Sequence, residues 1–337
     1  VAYDIPIPGY GNNTVNNLRL WQAKSTEDFN FEYFNKGDYA AAVSDKTSSE
    51  TISKVLYPND NIDPGKVLRL KQQYFFVSAT LQDIIRAYKT KHNTFKKFPD
   101  KVAIQLNDTH PSIAIPELMR ILMDEEGLEW DAAWDITVKT FAYTNHTVMA
   151  EALEKWDVSL FESLLPRHLS IIYEINHRYL EKARQFYSNP QDAKKIAGMS
   201  IIEEGVNKRV RMANLAIVGS HSVNGVAALH THILKTDIFA DFYRFESEKF
   251  NNKTNGITQR RWLKEANPNL SELITGKIGD GWITDLYKLK GIEKFKSDAK
   301  FQADWQAAKQ QCKHNLIQYI ESRYAVKINP DSIFDSQ

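Results

Sequence analysis

One pattern limits the fold of this chain more than any other, and it occurs three times: an apolar run, a short polar loop containing Asn and His, and a predicted helix. Each apolar run predicts a buried strand, and repeated strand–loop–helix units predict a parallel sheet. Ligands of such sheets bind beyond the carboxyl ends of the strands, where these loops would lie. Amide, hydroxyl and imidazole groups there favour a ligand rich in hydroxyls over a highly charged one. The first occurrence has its strand at residues 102–106, its loop at 107–111 and its helix at 114–123. In the second, these elements are residues 136–142, 143–147 and 148–156, and in the third they are residues 213–218, 219–225 and 226–234.

Length and composition predict a globular protein with about two domains. The chain has 337 residues, of which 42% are hydrophobic and 25% charged, an ordinary composition for a soluble protein. We place a domain boundary near residues 251–258, because Asn255-Gly256 is a strong turn signal, and we expect the remainder to be mostly helical. The chain begins at Val1, and its last residues are typical of the approach to another element, so we expect a piece of a longer protein.

The balance of charges argues against a nucleic-acid partner. There are 43 basic and 42 acidic residues, whereas a nucleic-acid-binding chain usually carries a basic patch. Cys312 is the only cysteine, which excludes a disulfide within this chain and does not imply an oxidising compartment. We find no apolar stretch long enough to cross a bilayer, so we expect no membrane partner and a cytoplasmic location.

Two long helices are predicted in the first quarter of the chain. The helix over residues 39–56 would be capped by Asp38 and would end before Pro58. It is so polar that it is either exposed to solvent or packed on a partner, and its spacing alone favours exposure. The other helix spans residues 68–90, with an apolar stripe for the core.

A further long helix is predicted over residues 160–187. Its apolar residues recur at helical spacing and are candidates for the core. Tyr173 and Asn176 lie three residues apart, on nearly the same side of this helix. They are either an ordinary surface pair or part of a binding site.

Several common kinds of catalytic motif are missing from the sequence. It has no Gly-rich phosphate loop, no Walker lysine motif, no Cys-pair zinc site and no serine nucleophile elbow. His230 and His232 are two residues apart, so on a helix they point to different faces and predict surface positions. Asp108, His110 and His146 could be metal ligands of a phosphoesterase, but such a site needs several carboxylates and these loops supply one.

Six stretches of the sequence together resemble the glycogen (α-glucan) phosphorylases, and they follow the family order along nearly the whole chain. Six long motifs in register are far more specific than any one of them. The stretches are VLYPNDN (55–61), VAIQLNDTHP (102–111), AYTNHTV (142–148), LLPRH (164–168), GSHSVNGV (219–226) and KTNGIT (253–258).

The resemblance implies an α/β fold of the GT-B type, with Rossmann-like parallel sheets flanked by helices, in a fragment of a two-domain enzyme. Residues 1–255 would be the second half of the N-terminal glucan-binding and dimerisation domain, and residues 256–337 the helical start of the C-terminal cofactor domain. The implied reaction is phosphorolysis of α-1,4-glucan, such as glycogen, by inorganic phosphate to glucose 1-phosphate.

The resemblance also implies pyridoxal 5'-phosphate as cofactor, attached to a lysine that is not in this chain. The cofactor phosphate and the substrate phosphate would be the acid–base element, so we expect this chain to be inactive alone. The implied assembly is a homodimer that uses the helix over residues 39–56, which reverses the preference for exposure. The alternatives are a non-catalytic glycan-binding module and a metal-dependent phosphoesterase.

Particular residues of this chain match catalytic positions of the family. By resemblance, His146 hydrogen-bonds the 6-hydroxyl of the reacting glucose, and Asn255 contacts hydroxyls of the same sugar. Asn59, Asp60 and Asn61 match the gate loop over the cleft, with Asn61 reaching the glucose 2-hydroxyl.

Two further groups of residues match other parts of the family pattern. The wall of the pocket beside the anomeric carbon would consist of Asp108, Thr109 and His110. A glycogen-storage site on the surface, away from the cleft, would consist of Tyr173, Asn176, Glu204 and Lys208.

Overall fold

The computed structural model describes residues 1–335, which form a mixed α/β structure. The strands are β1 Ala2–Pro8, β2 Val15–Trp21, β3 Ile104–Asn107, β4 Phe141–Thr144, β5 Lys155–Asp157, β6 Ile202–Glu203, β7 Arg209–Arg211, β8 Ser222–Gly225 and β9 Phe250–Asn252. The α-helices are α1 Phe31–Asn35, α2 Tyr39–Lys54, α3 Asp63–Lys89, α4 Phe98–Lys101, α5 Ala114–Arg120, α6 Trp130–Thr140, α7 Val158–Leu164, α8 Pro166–Phe186, α9 Ala193–Met199, α10 Met212–Val218, α11 Ala228–Ile233, α12 Ala240–Phe245, α13 Pro268–Ile278 and α14 Ala299–Tyr324.

A four-stranded parallel sheet lies at the centre of the longer part of the chain, in the order β3-β4-β8-β9. This confirms the parallel sheet that the repeated pattern predicted. Leu106, Tyr143, Val223 and Phe250 are aligned across the four strands and are buried. Helices α6, α10 and α11 pack against the strands, so this apolar row belongs to the core, whereas Gln105 and Asn107 of β3 are exposed.

Two of the three predicted strands are wrong in position. Residues 136–140 are the end of helix α6, in which Ala133, Ile136, Thr137 and Thr140 share one buried face at helical spacing. The strand β4 begins only at Phe141. Residues 213–218 lie in helix α10, which is buried on every side, and a short apolar run of that kind has no periodicity to separate helix from strand.

One predicted helix is also wrong. Residues 148–156 contain only a short 3-10 turn, Ala150–Ala152, and then strand β5, because residues 155–157 pair with β7 more than fifty residues later. The long helix predicted over residues 160–187 is two helices, α7 and α8, that meet at Leu165. The helix predicted over 226–234 is confirmed by α11, and that over 39–56 by α2. Asp38 caps α2 as expected, since its Oδ1 accepts a hydrogen bond of 2.9 Å from the Ala41 backbone.

The chain forms two compact units, each with its own core. The first comprises Val1–Pro8 and Val15–Asn255, and the second comprises Gly9–Thr14 and the chain from Gly256 onward. The second unit is helical, as expected, and α13 and α14 pack around the fully buried Trp282. Among residues 1–335, no helix combines the length and the apolar character needed to span a bilayer.

The first unit contains a buried carboxylate, Glu117 of helix α5, which is satisfied by three side chains. It accepts hydrogen bonds from Arg120 (2.8 Å), His168 (2.6 Å) and Ser78 (2.7 Å). Burial by itself raises the pKa of Glu117, but the hydrogen bonds from Arg120, His168 and Ser78 outweigh it and lower the pKa to about 2. The network joins helices α3, α5 and α8 and therefore stabilises their packing against one another.

We expect Glu117→Gln to lower the free energy of unfolding at pH 7 by about 3 kcal/mol, because it removes one partner of a buried charged network. Asp135→Asn is the control: its pair with Lys139 is exposed at 2.7 Å and should be worth less than about 1 kcal/mol. Urea unfolding of the full-length protein measures both values. Similar losses in the two variants would contradict the structural role of Glu117.

The same network has a defined dependence on pH. Because the pKa of Glu117 is about 2 in the folded chain and about 4.5 in the unfolded one, its stabilisation is complete above pH 4.5 and is lost as the pH falls towards 2. Glu117→Gln should therefore flatten the fall of stability over this range in the same urea experiment.

Candidate functional site

The polar loops of the repeated pattern meet at one edge of the parallel sheet. Asn107 at the end of β3 is aligned with Thr144 at the end of β4, and Thr144 is aligned with Asn224 of β8. Side chains link the three strands: Gln105 Nε2 of β3 donates to Thr144 Oγ1 over 2.8 Å, and Thr144 Oγ1 donates to Asn224 Oδ1 over 3.0 Å. The expected convergence is confirmed for the first two loops, which begin at the last residues of β3 and β4. The third predicted loop, residues 219–225, is wrong in part, because residues 222–225 are strand β8 itself.

His146 follows strand β4 and is exposed to solvent at this edge. Its Nε2 lies 2.8 Å from Asn107 Oδ1. An amide oxygen only accepts hydrogen bonds, so Nε2 carries the proton and a neutral His146 ring keeps a lone pair on Nδ1. The ring therefore presents an acceptor nitrogen that suits a hydroxyl donor.

The residue before His146 is held rigidly in the interior. Asn145 is fully buried, its Nδ2 donates to the Tyr143 hydroxyl over 3.0 Å, and its Oδ1 accepts from the Thr147 backbone over 3.1 Å. Burial raises the pKa of Tyr143, so its hydroxyl remains a neutral partner. The turn that carries His146 is therefore fixed from within the sheet.

The expected surface position of His230 is wrong. The His230 ring is partly buried, its Nδ1 lies 3.0 Å from the Val226 backbone nitrogen, and its Nε2 lies 3.0 Å from Asn145 Oδ1. Burial lowers the pKa of His230, with a smaller contribution in the same direction from His146. Asn255, which is exposed, joins the same edge because its backbone N–H donates to the Val226 carbonyl over 2.9 Å.

The segment after Asn107 forms a tight wall. Asp108 has a left-handed backbone conformation (φ 65°), and its Oδ1 accepts from the Thr109 N–H over 2.7 Å. Thr109 is 2% exposed, and its hydroxyl donates to Glu154 Oε2 over 3.1 Å. Gln73 holds the other oxygen of Glu154 at 2.7 Å. Thr109 is therefore buried and anchors the wall through Glu154, whereas His110 is exposed.

A cleft of about 460 Å³ lies beside this wall, within the first unit. Asp60 lines it from the segment before α3, where its carboxylate pairs with Arg69 over 3.2 Å. In the same segment, Asn59 Oδ1 accepts from the Asn61 backbone over 3.1 Å, and both residues are exposed. The remaining lining consists of Lys66, His110, Arg209 and the residues from Ala150 to Asp157.

The four residues matched to a surface storage site lie at different depths. Tyr173 is 39% exposed, and Glu204 and Lys208 form an exposed pair at 2.9 Å. The hydrogen bond from Lys208 to Glu204 raises the pKa of that ammonium, and the nearby Tyr173 contributes in the same direction. Asn176 is buried instead, and its amide oxygen accepts from the Ile201 backbone over 2.7 Å. Its side chain therefore anchors the segment beneath this surface.

The potential metal ligands do not form a metal site. Within the described range, residues 1–335, no three His, Cys, Asp or Glu side chains are arranged to hold a metal ion. Asp108, His110 and His146 are therefore not such a group.

Comparison with known proteins identifies the family. The carbohydrate phosphorylase family matches residues 1–337, so this chain belongs to that family. The muscle form of glycogen phosphorylase is 56% identical over 345 aligned residues in both Bos taurus and Homo sapiens, covering 100% of this chain and 41% of the relative. The brain form from Mus musculus is 55% identical over 343 residues, covering 99% of this chain and 40% of the relative. The chain thus spans about two fifths of the length of these curated relatives.

Sequence reasoning missed the residues that support the site from behind. His230 was assigned to the surface because its spacing from His232 fits no shared helix face, yet its partner Asn145 is 85 residues away. Glu154 carries no local signal either, since Thr109 and Gln73 are distant in sequence. Asn145 could have been found, because it lies inside a loop already singled out.

We expect Gly65→Ala to displace the segment that carries Asn59, Asp60 and Asn61. A Cβ at Gly65 would lie 1.7 Å from the Asn59 carbonyl oxygen, so the backbone must move. Overpacking of this kind typically costs about 1–3 kcal/mol. Hydrogen–deuterium exchange of the full-length protein should show faster exchange at residues 59–62 together with a lower melting temperature.

Gly198→Ala is the matched control for this change. Gly198 lies in helix α9 of the same unit, and a Cβ there meets no atom within 4 Å. It should leave both measurements unchanged or raise the melting temperature slightly. Unchanged exchange at residues 59–62 in Gly65→Ala would refute the close approach as a determinant of that segment.

Proposed function

We propose that this chain is part of an α-glucan phosphorylase of the GT-B type, which transfers the terminal glucose of an α-1,4-glucan to inorganic phosphate. Glycogen is the proposed glucan, and glucose 1-phosphate is the product. The family match over the whole chain and the similarity to the muscle and brain forms of glycogen phosphorylase support this proposal. The proposed location is the cytoplasm.

The proposal depends on one observation: His146 is oriented at the edge of the parallel sheet by its hydrogen bond to Asn107. Nδ1 of His146 accepts a hydrogen bond from the 6-hydroxyl of the reacting glucose, and Asn255 contacts other hydroxyls of that sugar. Amide and imidazole groups recognise hydroxyls by direction rather than by charge. Asn61 reaches the 2-hydroxyl from the gate loop.

The remaining residues of the proposed site shape the cleft. Asp108, Thr109 and His110 form the wall beside the anomeric carbon, with Thr109 anchored to Glu154. Asn59 and Asp60 close the opposite side as part of the gate loop. The Asp60–Arg69 ion pair at 3.2 Å supports this assignment, because it ties the loop to helix α3.

Pyridoxal 5'-phosphate is the proposed cofactor of the full-length enzyme, where its phosphate supplies acid–base chemistry together with the substrate phosphate. Lys249 is buried, and its ammonium is paired with Glu246 at 3.0 Å. We place the attachment lysine outside this chain. Residues 1–255 then belong to the glucan-binding and dimerisation domain, and residues 256–337 begin the cofactor domain.

A homodimer that uses helix α2 is the proposed assembly. Helix α2 buries only Ala42 within this chain, although it begins beside a cluster of aromatic rings. Phe34 lies 5.3 Å from Tyr39, and Phe31 and Tyr39 are 70% and 64% exposed. An exposed aromatic cluster of this kind supports burial against another protein surface.

A surface storage site for glycogen is the last part of the proposal. The Tyr173 ring offers a face for a sugar, and the Glu204–Lys208 pair offers hydrogen-bonding groups beside it. Asn176 holds the underlying segment through Ser200 and Ile201. The site is separate from the His146 edge in its residues and in its proposed role.

We expect His146→Ala to lower turnover by the full-length enzyme while glycogen attachment changes little. A hydrogen bond made in the transition state is typically worth about 2–4 kcal/mol. Initial rates of glucose 1-phosphate formation and sedimentation with glycogen measure the two effects. His232→Ala, an exposed histidine of helix α11, is the control. Unchanged turnover would remove His146 from the site, and absence of phosphorolysis in the wild type would favour a glycan-binding module.

The double change Tyr173→Ala with Glu204→Ala should weaken retention of the full-length enzyme on immobilised glycogen. Turnover on saturating short maltooligosaccharides should stay nearly normal, because the cleft is untouched. Retention time and initial rate measure these properties separately. Equal losses on the polymer and the short substrate would mean that these residues are structural, and unchanged retention would mean that the surface does not bind glycogen.

A further inference from the structure

His230 lies next to the residues of the proposed glucose site, and both nitrogens of its ring make hydrogen bonds. A backbone N–H can only donate, so the Val226 nitrogen at 3.0 Å requires an unprotonated Nδ1 in His230. The proton of the neutral ring is then on Nε2, which donates to Asn145 Oδ1 over 3.0 Å. In the protonated ring, the proton on Nδ1 would point at the Val226 N–H. Burial also lowers the pKa of His230 and so disfavours the protonated ring.

Both partners of His230 lead to residues of the proposed glucose site. Asn145 directly precedes His146, and its backbone N–H donates to the Asn224 carbonyl over 2.9 Å. The carbonyl of Val226 accepts the backbone N–H of Asn255 over 2.9 Å. One imidazole therefore connects the turn before His146 with the segment that ends in Asn255, although these are more than one hundred residues apart.

The close approach of His230 to the end of strand β8 depends on a glycine. A Cβ at Gly225 would lie 3.1 Å from His230 Nδ1 and 2.4 Å from Thr231 Oγ1. Helix α11 can therefore begin directly above the strand only because residue 225 has no side chain. This contact brings the ring within reach of Asn145 across the sheet edge.

We propose that His230 is a positioning residue that sets the placement of His146 and Asn255 relative to each other. This inference rests on the proposed glucose site. Asn145 Oδ1 would keep only the Thr147 N–H as a donor without His230, and the Val226 N–H would lose its acceptor. The turn before His146 would then lose its connection through His230 to Val226, whose carbonyl holds Asn255.

The test measures how well the full-length protein distinguishes D-glucose from 6-deoxy-D-glucose in titration calorimetry. The wild type should bind glucose about five- to tenfold more tightly, the effect of one hydrogen bond. His230→Phe should reduce this preference to about twofold or less, because it displaces the acceptor nitrogen of His146. His230→Gln keeps one donor and one acceptor and should restore most of the preference. His232→Phe, an exposed histidine on the same helix, should behave like the wild type.

The outcomes separate this inference from the function on which it rests. Equal binding of the two sugars by the wild type would overturn the proposed contact of His146, and this inference with it. A wild-type preference that persists in a folded His230→Phe protein would overturn the role of His230 alone. Loss of the preference in His230→Phe with recovery in His230→Gln supports it.

A second measurement decides the case in which His230→Phe does not fold. Nitrogen-15 chemical shifts of histidine in the wild-type full-length protein report which ring nitrogen carries the proton. We expect the Nε2–H form of His230 at pH 7. An Nδ1–H form or a protonated ring would overturn the proposal, because neither can accept from Val226 and donate to Asn145 at once.

Discussion

The burial of one apolar row across the parallel sheet is the interaction on which the remaining structure depends. Leu106, Tyr143, Val223 and Phe250 come from segments spread over nearly 150 residues, and their removal from water aligns the four strands. Once these strands are parallel and in register, the residues after their last apolar positions must meet at one edge. The polar site is therefore a geometric consequence of the core.

The edge itself is built mainly from neutral hydrogen-bonding groups. Asn107 orients His146, and His230 and Tyr143 hold the buried Asn145 from two sides. Such groups are costly to bury without partners, so each one restricts its neighbour to a single orientation. The nearby cleft is different, because it is lined by charged side chains that form ion pairs, among them Asp60 with Arg69 and Lys155 with Glu203. The edge is therefore suited to recognise a ligand by the direction of its hydrogen bonds rather than by its net charge.

Membership of the carbohydrate phosphorylase family gives this arrangement its functional context. The chain covers about two fifths of the length of its relatives, and in the proposed function it supplies groups that recognise glucose, while the cofactor lysine lies elsewhere in the whole protein. Glucose recognition and cofactor chemistry would therefore come from different parts of the whole protein. The proposed site of the whole protein would then require this chain to place His146 and Asn255 correctly.

Local sequence determined the elements that have clear end signals or a clear period. The Asp38 cap defines helix α2, and the loops with Asn107 and His146 were located without any structure. The parallel sheet followed from the repeated pattern, although two of its strands were misplaced. Residues 213–218 form a helix buried on all sides, and residues 155–157 become a strand by pairing with β7. Tertiary structure alone decided these elements, the bond from His230 to Asn145 and the depth of Asn176. The physical reason is that burial and hydrogen bonding join residues far apart in the chain, and neither leaves a signal in the residues close to each partner.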